Sequence, residues 1–497
     1  MSSSLTATKA ALIGIAFTLL SGSLSTVALV WNDSTAFILS AIETVRQGSL
    51  VLFSGVNAGY VLVISVVLAM GAGLNTLVAF QQVIWAISVG LGTLTVVKIS
   101  KRPWLAFPMA SLGGYPGIQM YGNVIMSEST FVCCVTNATC LLLLARRATS
   151  PNWRLTGSCG AIMFAMLAAV TKAQGASLLL LVAVTGIASV IDTGRWRFLA
   201  ACSVAMLSLS VVAGAYLVRD TALDRTSRLF GAKTLFCAHL DIVEGSSAAE
   251  QLTKNTFGAS ANKILEMMRS MRRAAASPFP TLGFNADECQ HNPAFDDLVV
   301  SAQNYGTDGV RAWYLDTFRA AVDEHPTQYA EKVLRQLVYG LKMSVPPHGL
   351  GQQWIGVQER RDIAARMLTG RAHSKELAQN PSEIQAGMLA RVEPVGNYVL
   401  RAISLVSGIA LVLSIAAMLW PAYRNSAGNA ASGAAIAALV WWSQALVIAT
   451  SHTLDVWRYL IPVVPAAIIT TLLFACALSN MTRHVVSTVA ASDMSNV

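Results

Sequence analysis

Residues 55–73 read Gly-Val-Asn-Ala-Gly-Tyr-Val-Leu-Val-Ile-Ser-Val-Val-Leu-Ala-Met-Gly-Ala-Gly, and this stretch decides how often the chain crosses a membrane. It is almost as long as the roughly 20 residues that an α-helix needs to cross a hydrocarbon core. Counting it as a span would invert every later loop and move the arginines of the short loops to the outer face. We therefore predict a helix that lies in, or dips into, the outer face, a placement that the flanking glycines permit.

The composition of the whole chain places this stretch in a membrane protein. Of the 497 residues, 54% are hydrophobic and only 12% are charged, and the mean hydropathy is +0.54. A soluble globular protein is far less apolar. We predict an all-α polytopic membrane protein with about ten transmembrane helices, because runs of spanning length lie near 9–30, 74–97, 103–125, 129–145, 155–172, 174–191, 198–217, 398–420, 431–450 and 458–479.

The basic residues predict the orientation of these helices. With the N-terminus in the cytoplasm, the outer short loops keep only Arg46, Lys172 and Arg458. This asymmetry is typical of cytoplasmic loops, which are rich in Lys and Arg; the inner set is Lys9, Lys98, Lys101, Arg102, Arg146, Arg147, Arg154, Arg195, Arg197, Arg424 and Arg483. The net charge of +9 does not indicate nucleic-acid binding, since no basic patch with interleaved aromatic residues exists.

The predicted topology divides the chain into three regions. Residues 1–218 form an N-terminal membrane module with spans one to seven, and its first outer loop, 31–73, carries juxtamembrane helices. The first run is interpreted as a retained span, because no small-residue cleavage pattern follows it. Residues 219–397 form a large, mostly helical insert on the outer face, in which Pro326 interrupts a long helical pattern. Residues 398–497 hold three more spans and a short cytoplasmic tail.

Two of the eight cysteines stand apart from the rest. Cys237 and Cys289 lie in the outer insert, where an oxidising compartment would favour a disulfide between them. The alternative is two unrelated loop thiols. The remaining cysteines fall inside predicted spans, and neither CxxC pairs nor His/Cys clusters at zinc spacing occur in the sequence.

Charged residues at the outer ends of the spans are the candidate functional residues. Ionisable groups at membrane depth are costly and are functional-site hypotheses by default, although each can also be a solvated or snorkelling side chain. Asp33 follows the first span, and Glu128 separates the third from the fourth. Lys172 lies in the turn between the fifth and sixth, and Asp455 and Arg458 precede the tenth.

The chemistry that would use these charges needs a donor from the membrane. The sequence has no Gly-rich phosphate loop of the GxxxxGK[ST] type and no cytoplasmic loop large enough for a nucleotide-binding domain. A lipid-linked phosphate could enter at the outer leaflet, with Lys172 and Arg458 stabilising the leaving phosphate. A carboxylate on the opposite side could accept the proton of an attacking hydroxyl or amine. For a sugar donor, such an attack inverts the anomeric carbon.

Four motifs, in this order, carry a resemblance to a known family. They are Asn32-Asp33-Ser34-Thr35-Ala36-Phe37, Met126-Ser127-Glu128, Ala169-Val170-Thr171-Lys172-Ala173-Gln174-Gly175 and Asp455-Val456-Trp457-Arg458-Tyr459-Leu460-Ile461-Pro462. The chain resembles the GT-C superfamily of membrane glycosyltransferases, particularly bacterial relatives of the aminoarabinose transferases and protein O-mannosyltransferases. The resemblance covers about 31–217 and 440–480, while the insert matches only loosely, through Glu324-His325-Pro326-Thr327-Gln328-Tyr329.

The resemblance implies a GT-C fold and transfer of a sugar from a polyprenyl-phosphate donor to a lipid, glycan or protein of the cell envelope. The site would face the periplasm at the bacterial inner membrane, with membrane lipids as further partners. Asp33 would be the base and Glu128 would lie near the acceptor or a metal; substrate-binding residues would be Asn32, Lys172, Gln174, Asp455, Arg458 and Tyr459. Some members use a divalent ion and others do not, so a metal stays open.

The chain departs from the family at two positions, and two other interpretations compete. The family often has adjacent acids in the first loop, where this chain has Asn32-Asp33, and Phe37 stands where tyrosine is common. The same charges could line the path of a transporter or lipid flippase, but the sequence has a one-sided outer domain and no visible inverted repeat. A non-catalytic partner in envelope assembly is the third interpretation.

Overall fold

The computed structural model describes residues 2–495, apart from 23–31, 54–55, 116–121, 123, 223–224, 274–283, 285, 303–305, 342–382, 420 and 452–458. The side chains at several helix ends, including those of Asn32 and Asp33, also lie outside the described part. Helices joined by short turns account for nearly all of the described residues, and no β-strand occurs among them. The protein is therefore all-α, as the sequence predicts.

The N-terminal region begins with two long helices and three short ones. They are α1 (Ser2–Gly22), α2 (Asn32–Gln47), α3 (Ala58–Ala69), α4 (Leu74–Ser100) and α5 (Ala106–Ser111). Helices α1 and α4 pack antiparallel, since Ala7 and Ala10 contact Val97 while Gly14 lies beside Thr93. Helix α3 occupies most of the stretch 55–73. Its 12 residues extend about 18 Å, too short to cross a hydrocarbon core of about 30 Å.

The predicted span over 103–125 is wrong as a continuous helix. The structure has a 3₁₀ turn at Pro103–Leu105, the six-residue α5 and a second 3₁₀ turn at Leu112–Gly114. The sequence explains the break, because prolines at 103, 108 and 116 and glycines at 113, 114 and 117 occur within 15 residues. The described residues of this segment still lie beside α4 in antiparallel order, with Met109 against Gly92 and the carbonyl of Gly122 accepting a hydrogen bond from Gln81.

Four helices of the N-terminal module follow. They are α6 (Ser127–Arg147), α7 (Pro151–Thr171), α8 (Gly175–Ala188, continued by a 3₁₀ turn at Ile191–Thr193) and α9 (Arg195–Ala222). Tight turns join α6 to α7 and α7 to α8, so these helices are antiparallel neighbours with one shared apolar core. Helix α6 lies at the centre, because 83% of the residues in its apolar stretch are buried.

The insert that the sequence predicts on the outer face, here called the outer insert, is a separate helical unit with its own core. Its helices are α10 (Arg225–Ala238), α11 (Leu240–Glu244), α12 (Ser247–Phe257), α13 (Ala261–Arg273), α14 (Asp287–Gln290), α15 (Pro293–Ala302), α16 (Gly306–Glu324) and α17 (Pro326–Leu341). The rings of Phe236, Phe295, Trp313 and Tyr314 pack at its centre. A disulfide joins Cys237 to Cys289 and ties α10 to α14. Pro326 starts a new helix, so the predicted interruption is confirmed.

The C-terminal module consists of α18 (Glu383–Leu419), α19 (Pro421–Ser451) and α20 (Val464–Ser495), with a 3₁₀ turn at Ile461–Val463 before α20. Eight helical segments of the described chain are long and apolar enough to cross a membrane: Leu74–Ser100, Ser127–Arg147, Pro151–Thr171, Gly175–Thr193, Arg195–Leu217, Tyr398–Leu419, Asn429–Ser451 and Ile461–Val486. These coincide with eight of the predicted runs. The structure is therefore that of a multi-pass membrane protein.

Candidate functional site

A buried ion pair at the ends of α6 and α7 is the centre of the candidate site. Glu128 lies in the first turn of α6, and Lys172 caps the C-terminus of α7. The Lys172 Nζ atom is 2.9 Å from Glu128 Oε1, and only 10% and 2% of the two side chains are exposed. Each charge occupies the favourable end of its helix dipole, since helix N-termini stabilise anions and C-termini cations.

The local sequence explains why Lys172 is held at this point. The backbone N–H of Lys172 donates to the carbonyl of Ala168, which ends α7, and the next helix begins at Gly175. A Cβ atom on Gly175 would lie 2.5 Å from the backbone of Ala168, so only glycine permits so tight a turn. The turn therefore fixes the lysine at the junction of two helices.

A third chain segment completes the pair. The ring of Tyr459, just before α20, lies 4.4 Å from Lys172 Nζ, a cation–π distance. The side-chain N–H of Gln174 donates to the carbonyl of Tyr459 at 3.3 Å. Glu128, Lys172, Gln174 and Tyr459 thus come together, although they lie in three motifs separated by up to 331 positions in the sequence.

The segment predicted as the first outer loop contributes Tyr60 to the same site. Its hydroxyl donates to Gln81 Oε1 at 2.7 Å, and its ring makes an edge contact with Phe37 of α2 at 5.1 Å. Burial raises the pKa of Tyr60; a hydrogen bond with Ser129 opposes the rise and the charge of Glu128 adds to it. The phenol therefore remains a protonated donor, and it links the loop that bears Asp33 to the start of α6.

Close backbone approach holds α3 over the end of α7. A Cβ atom on Gly59 would lie 2.8 Å from the carbonyl oxygen of Val170, which is two residues before Lys172. Glycine is needed here for the approach rather than for its backbone angles. The helix that carries Tyr60 is consequently packed against the end of α7 that bears Lys172.

The second oxygen of Glu128 also has a partner. Ser127 Oγ donates to Glu128 Oε2 at 3.2 Å, so both carboxylate oxygens are engaged. An ion pair this deeply buried is costly to desolvate and needs such additional contacts. Its net charge is zero, because one carboxylate meets one ammonium group.

Other predicted site residues lie outside the described part of the chain. Helix α2 contains Asn32 and Asp33 in its first turn, but nothing is described of their side chains. Asp455 and Arg458 fall within the undescribed range 452–458. Among the residues that are described, no group of three or more His, Cys, Asp or Glu side chains could hold a metal ion.

Three further residues belong to this site although the sequence did not predict them: Tyr60, Gln81 and Ser129. The first two carried a weak signal: a tyrosine inside the apolar stretch 55–73 and a Gln-Gln pair inside a predicted span. Polar groups at membrane depth seek partners, so a buried glutamine there indicates an interhelical bond. Ser129 carried no signal beyond its place next to Glu128.

The fold and the ion pair define a multi-pass helical membrane protein with a buried charged site at one end of its bundle. Comparison with protein-family models, with curated proteins and with solved structures finds no match for this chain.

Proposed function

We propose that this protein is an integral-membrane glycosyltransferase of the GT-C type. It transfers a sugar from a polyprenyl-phosphate donor to a lipid, glycan or protein of the bacterial cell envelope, at the periplasmic face of the inner membrane. One observation carries the proposal: the buried Glu128–Lys172 pair meets Tyr459 at a single point. Three of the four motifs behind the resemblance contribute to that point, and burying two charges there has a cost that function would explain.

The proposed reaction divides its roles among the three outer segments. Asp33 accepts the proton of the attacking acceptor hydroxyl or amine as the new bond to the anomeric carbon forms. The bond between that carbon and the phosphate oxygen breaks, and polyprenyl phosphate leaves with the electron pair. Because Lys172 is already neutralised by Glu128, the departing phosphate needs a further cation, and we assign this role to Arg458, which precedes Tyr459 in the sequence.

In this proposal Glu128 is a positioning residue as well as an acceptor contact. It holds Lys172 against the ring of Tyr459, which fixes the segment that precedes α20. Gln174 holds the backbone of the same residue. Asn32 and Asp455 are the remaining proposed substrate-binding residues, and a divalent ion stays open as a cofactor.

The experiment uses purified full-length protein in liposomes, with a panel of polyprenyl-phosphate hexoses and pentoses and an extract of envelope acceptors. We compare wild type with Asp33→Asn and with the control Glu43→Gln, which removes a half-buried acid that pairs with Arg46 on the same helix. A general base contributes about 100-fold to 10,000-fold in rate. Asp33→Asn is therefore expected to lose at least about 100-fold of sugar transfer, while the control keeps wild-type activity.

Two results would overturn the proposal. One is wild-type turnover in the Asp33→Asn protein, which would show that Asp33 is not the base. The other is no consumption of any donor by folded wild-type protein, checked by its thermal unfolding transition. In that second case, movement of the same lipids across the vesicle membrane would be measured next, since a flippase would move the donor without cleaving it.

A further inference from the structure

Helix α17 connects the outer insert to the membrane helices. The Tyr329 hydroxyl, in the first turn of α17, donates to the carbonyl oxygen of Thr450 at 3.1 Å. Thr450 is one residue from the end of α19, where backbone carbonyls have no partner within the helix. Because this end of α19 is the outer end of a candidate span, Tyr329 marks the level at which α17 meets the membrane surface.

The other end of α17 lies far below that level. The Cδ2 atom of Leu341 is 3.3 Å from the position of a Cβ on Gly408, and Trp442 Cζ2 is 3.4 Å from the same point. Trp442 precedes the end of α19 by nine residues, which is about 14 Å of helix. Gly408 is ten residues beyond Tyr398, the start of its candidate span, or about 15 Å. Both values place Leu341 near the middle of a core about 30 Å thick.

The two faces of α17 have different surroundings. Lys332, Gln336 and Gly340 recur every four residues and are buried against the protein. Leu337, Tyr339 and Leu341 pack against the core of the membrane bundle. On the opposite face Leu334 is 61% exposed and Val338 is 44% exposed. This exposed pair, one helical turn apart, lies between the levels of Tyr329 and Leu341.

We propose that α17 is a re-entrant helix, whose C-terminal half lies in the outer leaflet with lipid acyl chains covering Leu334 and Val338. The adjoining spans also expose apolar side chains in this half of the bilayer, Leu405 on α18 and Leu446 on α19. A helix can lie in lipid because its backbone N–H and C=O groups form hydrogen bonds with one another. The outer insert is thus anchored in the bilayer as well as linked to it by the chain.

The charged residues of α17 fit this placement. Lys332 is directed back to the insert, where its Nζ atom is 2.6 Å from Asp241 Oδ1. Glu331 lies at the level of Tyr329. Arg335 lies about 9 Å beyond Tyr329 along the helix, close enough for its long side chain to reach the interface.

Site-directed spin labelling tests the proposal without any knowledge of the substrate. The half-exposed Cys159 and Cys202 are first replaced by Ala, and single cysteines are then introduced for a nitroxide label at Leu334 and Val338 in the full-length protein in liposomes. Collision of the nitroxide with oxygen, which concentrates in lipid, is compared with collision with a water-soluble nickel chelate. Val412, 66% exposed on α18, is the lipid control, and the exposed Asp323 at the end of α16 is the water control.

We expect the oxygen-to-nickel ratio at positions 334 and 338 to match that at 412 and to exceed that at 323. A ratio equal to that at 323 would overturn the proposal, because the face would then be in water. Low collision with both reagents would also overturn it, since protein would cover the face. Each labelled protein must keep the unfolding transition of the cysteine-depleted parent. If the protein labelled at 334 does not keep it, the protein labelled at 338 carries the test.

Discussion

Two buried lysines, one in the outer insert and one in the membrane bundle, have partners of different kinds. Lys332 in the outer insert approaches Asp241 Oδ1 at 2.6 Å, the carbonyl of Ala238 and the ring of Phe284. All three partners belong to the loop that the Cys237–Cys289 disulfide closes. Lys172 in the membrane bundle instead contacts Glu128 and Tyr459, which belong to two distant outer segments.

The difference indicates that one lysine anchors a helix, whereas the other brings the segments of a site together. One lysine fastens a helix to a loop that is already cross-linked, so its contribution is to stability. The other gathers segments that covalent structure does not hold together, at the point where four motifs are proposed to form a site. The predictions below test this distinction, from the largest expected effect to the smallest.

The first prediction removes the cross-link from the outer region. Replacing both Cys237 and Cys289 by Ser opens a loop with a sequence separation of 52. The chain-entropy model gives about 4 kcal/mol of lost stability for a loop of this size. Thermal unfolding in detergent should show the loss, whereas Cys159→Ser, which removes a free thiol, should not. An unchanged transition in the double variant would show that the Lys332 loop is held by its packing alone.

The second prediction concerns the lysine that is fastened to this loop. Lys332→Met leaves Asp241 without its cation and should cost about 3 kcal/mol, the lower end of the range for a broken buried pair, because 19% of the Asp241 side chain is exposed. Adding Asp241→Asn should recover much of the loss. Sugar transfer per folded molecule should stay at the wild-type level in both proteins. Loss of transfer in the recovered double variant would contradict a purely anchoring role.

The third prediction applies the same design to the membrane pair and expects a different result. Glu128→Gln alone leaves Lys172 unpaired, and the double variant Glu128→Gln/Lys172→Met should recover stability as the outer double variant does. Transfer should not recover, and should remain at least about 100-fold below wild type, or about 2.7 kcal/mol. Unfolding and transfer are measured on the same preparation. If both stability and transfer recovered in the double variant, the pair would only hold α6 against α7 and would have no role in the reaction.

The membrane region shows what sequence can predict. Eight of the predicted runs coincide with long apolar helices, because hydropathy over about 20 residues is a strong signal. The run at 103–125 was also predicted as a span from its length, but proline and glycine break its helix, and hydropathy does not weigh backbone conformation. The short helix α3 was predicted from the sidedness of the arginines rather than from its own composition.

The candidate site was predictable only in part. Glu128 and Lys172 were identified as charges on one face of the membrane, because intramembrane charges are conspicuous. Their direct pairing was not predicted, since it depends on the tight turn at Gly175 and the approach of α3 at Gly59. Tyr60 was missed because an aromatic residue in an apolar run resembles core packing. The re-entrant position of α17 depends on long-range contacts with α18 and α19 that no local pattern contains.

The fourth prediction uses pH to probe the surroundings of Lys332. Burial lowers the pKa of His239 to about 3, and the charge of Lys332 adds to this effect. An unfolded histidine has a pKa of about 6.5, so below that pH the unfolded chain binds a proton that the folded protein excludes. Stability from this residue is therefore constant above pH 6.5 and falls by about 1.4 kcal/mol per pH unit down to pH 3.

His239→Gln tests this dependence, because glutamine does not titrate and can still donate to the carbonyl of Leu235. The unfolding temperature of the variant should fall less steeply between pH 6.5 and pH 4 than that of wild type. Unfolding curves at half-unit pH steps measure the two slopes. Equal slopes would mean that other groups, and not His239, make the insert sensitive to acid.

The fifth prediction returns to the membrane site and has the smallest expected effect. Tyr60→Phe keeps the ring against Phe37 but removes the hydroxyl that donates to Gln81, and one neutral hydrogen bond contributes about 1 kcal/mol of stability. Gln81→Leu/Tyr60→Phe is the comparison variant, and it should lose more stability than Tyr60→Phe alone, because Gln81 also donates to the carbonyl of Gly122. If Tyr60 aligns the loop that bears Asp33 with Glu128, transfer per folded molecule falls by a similar factor in both proteins. Wild-type transfer in both would confine Tyr60 to packing and leave the ion pair as the only tested link between the outer segments.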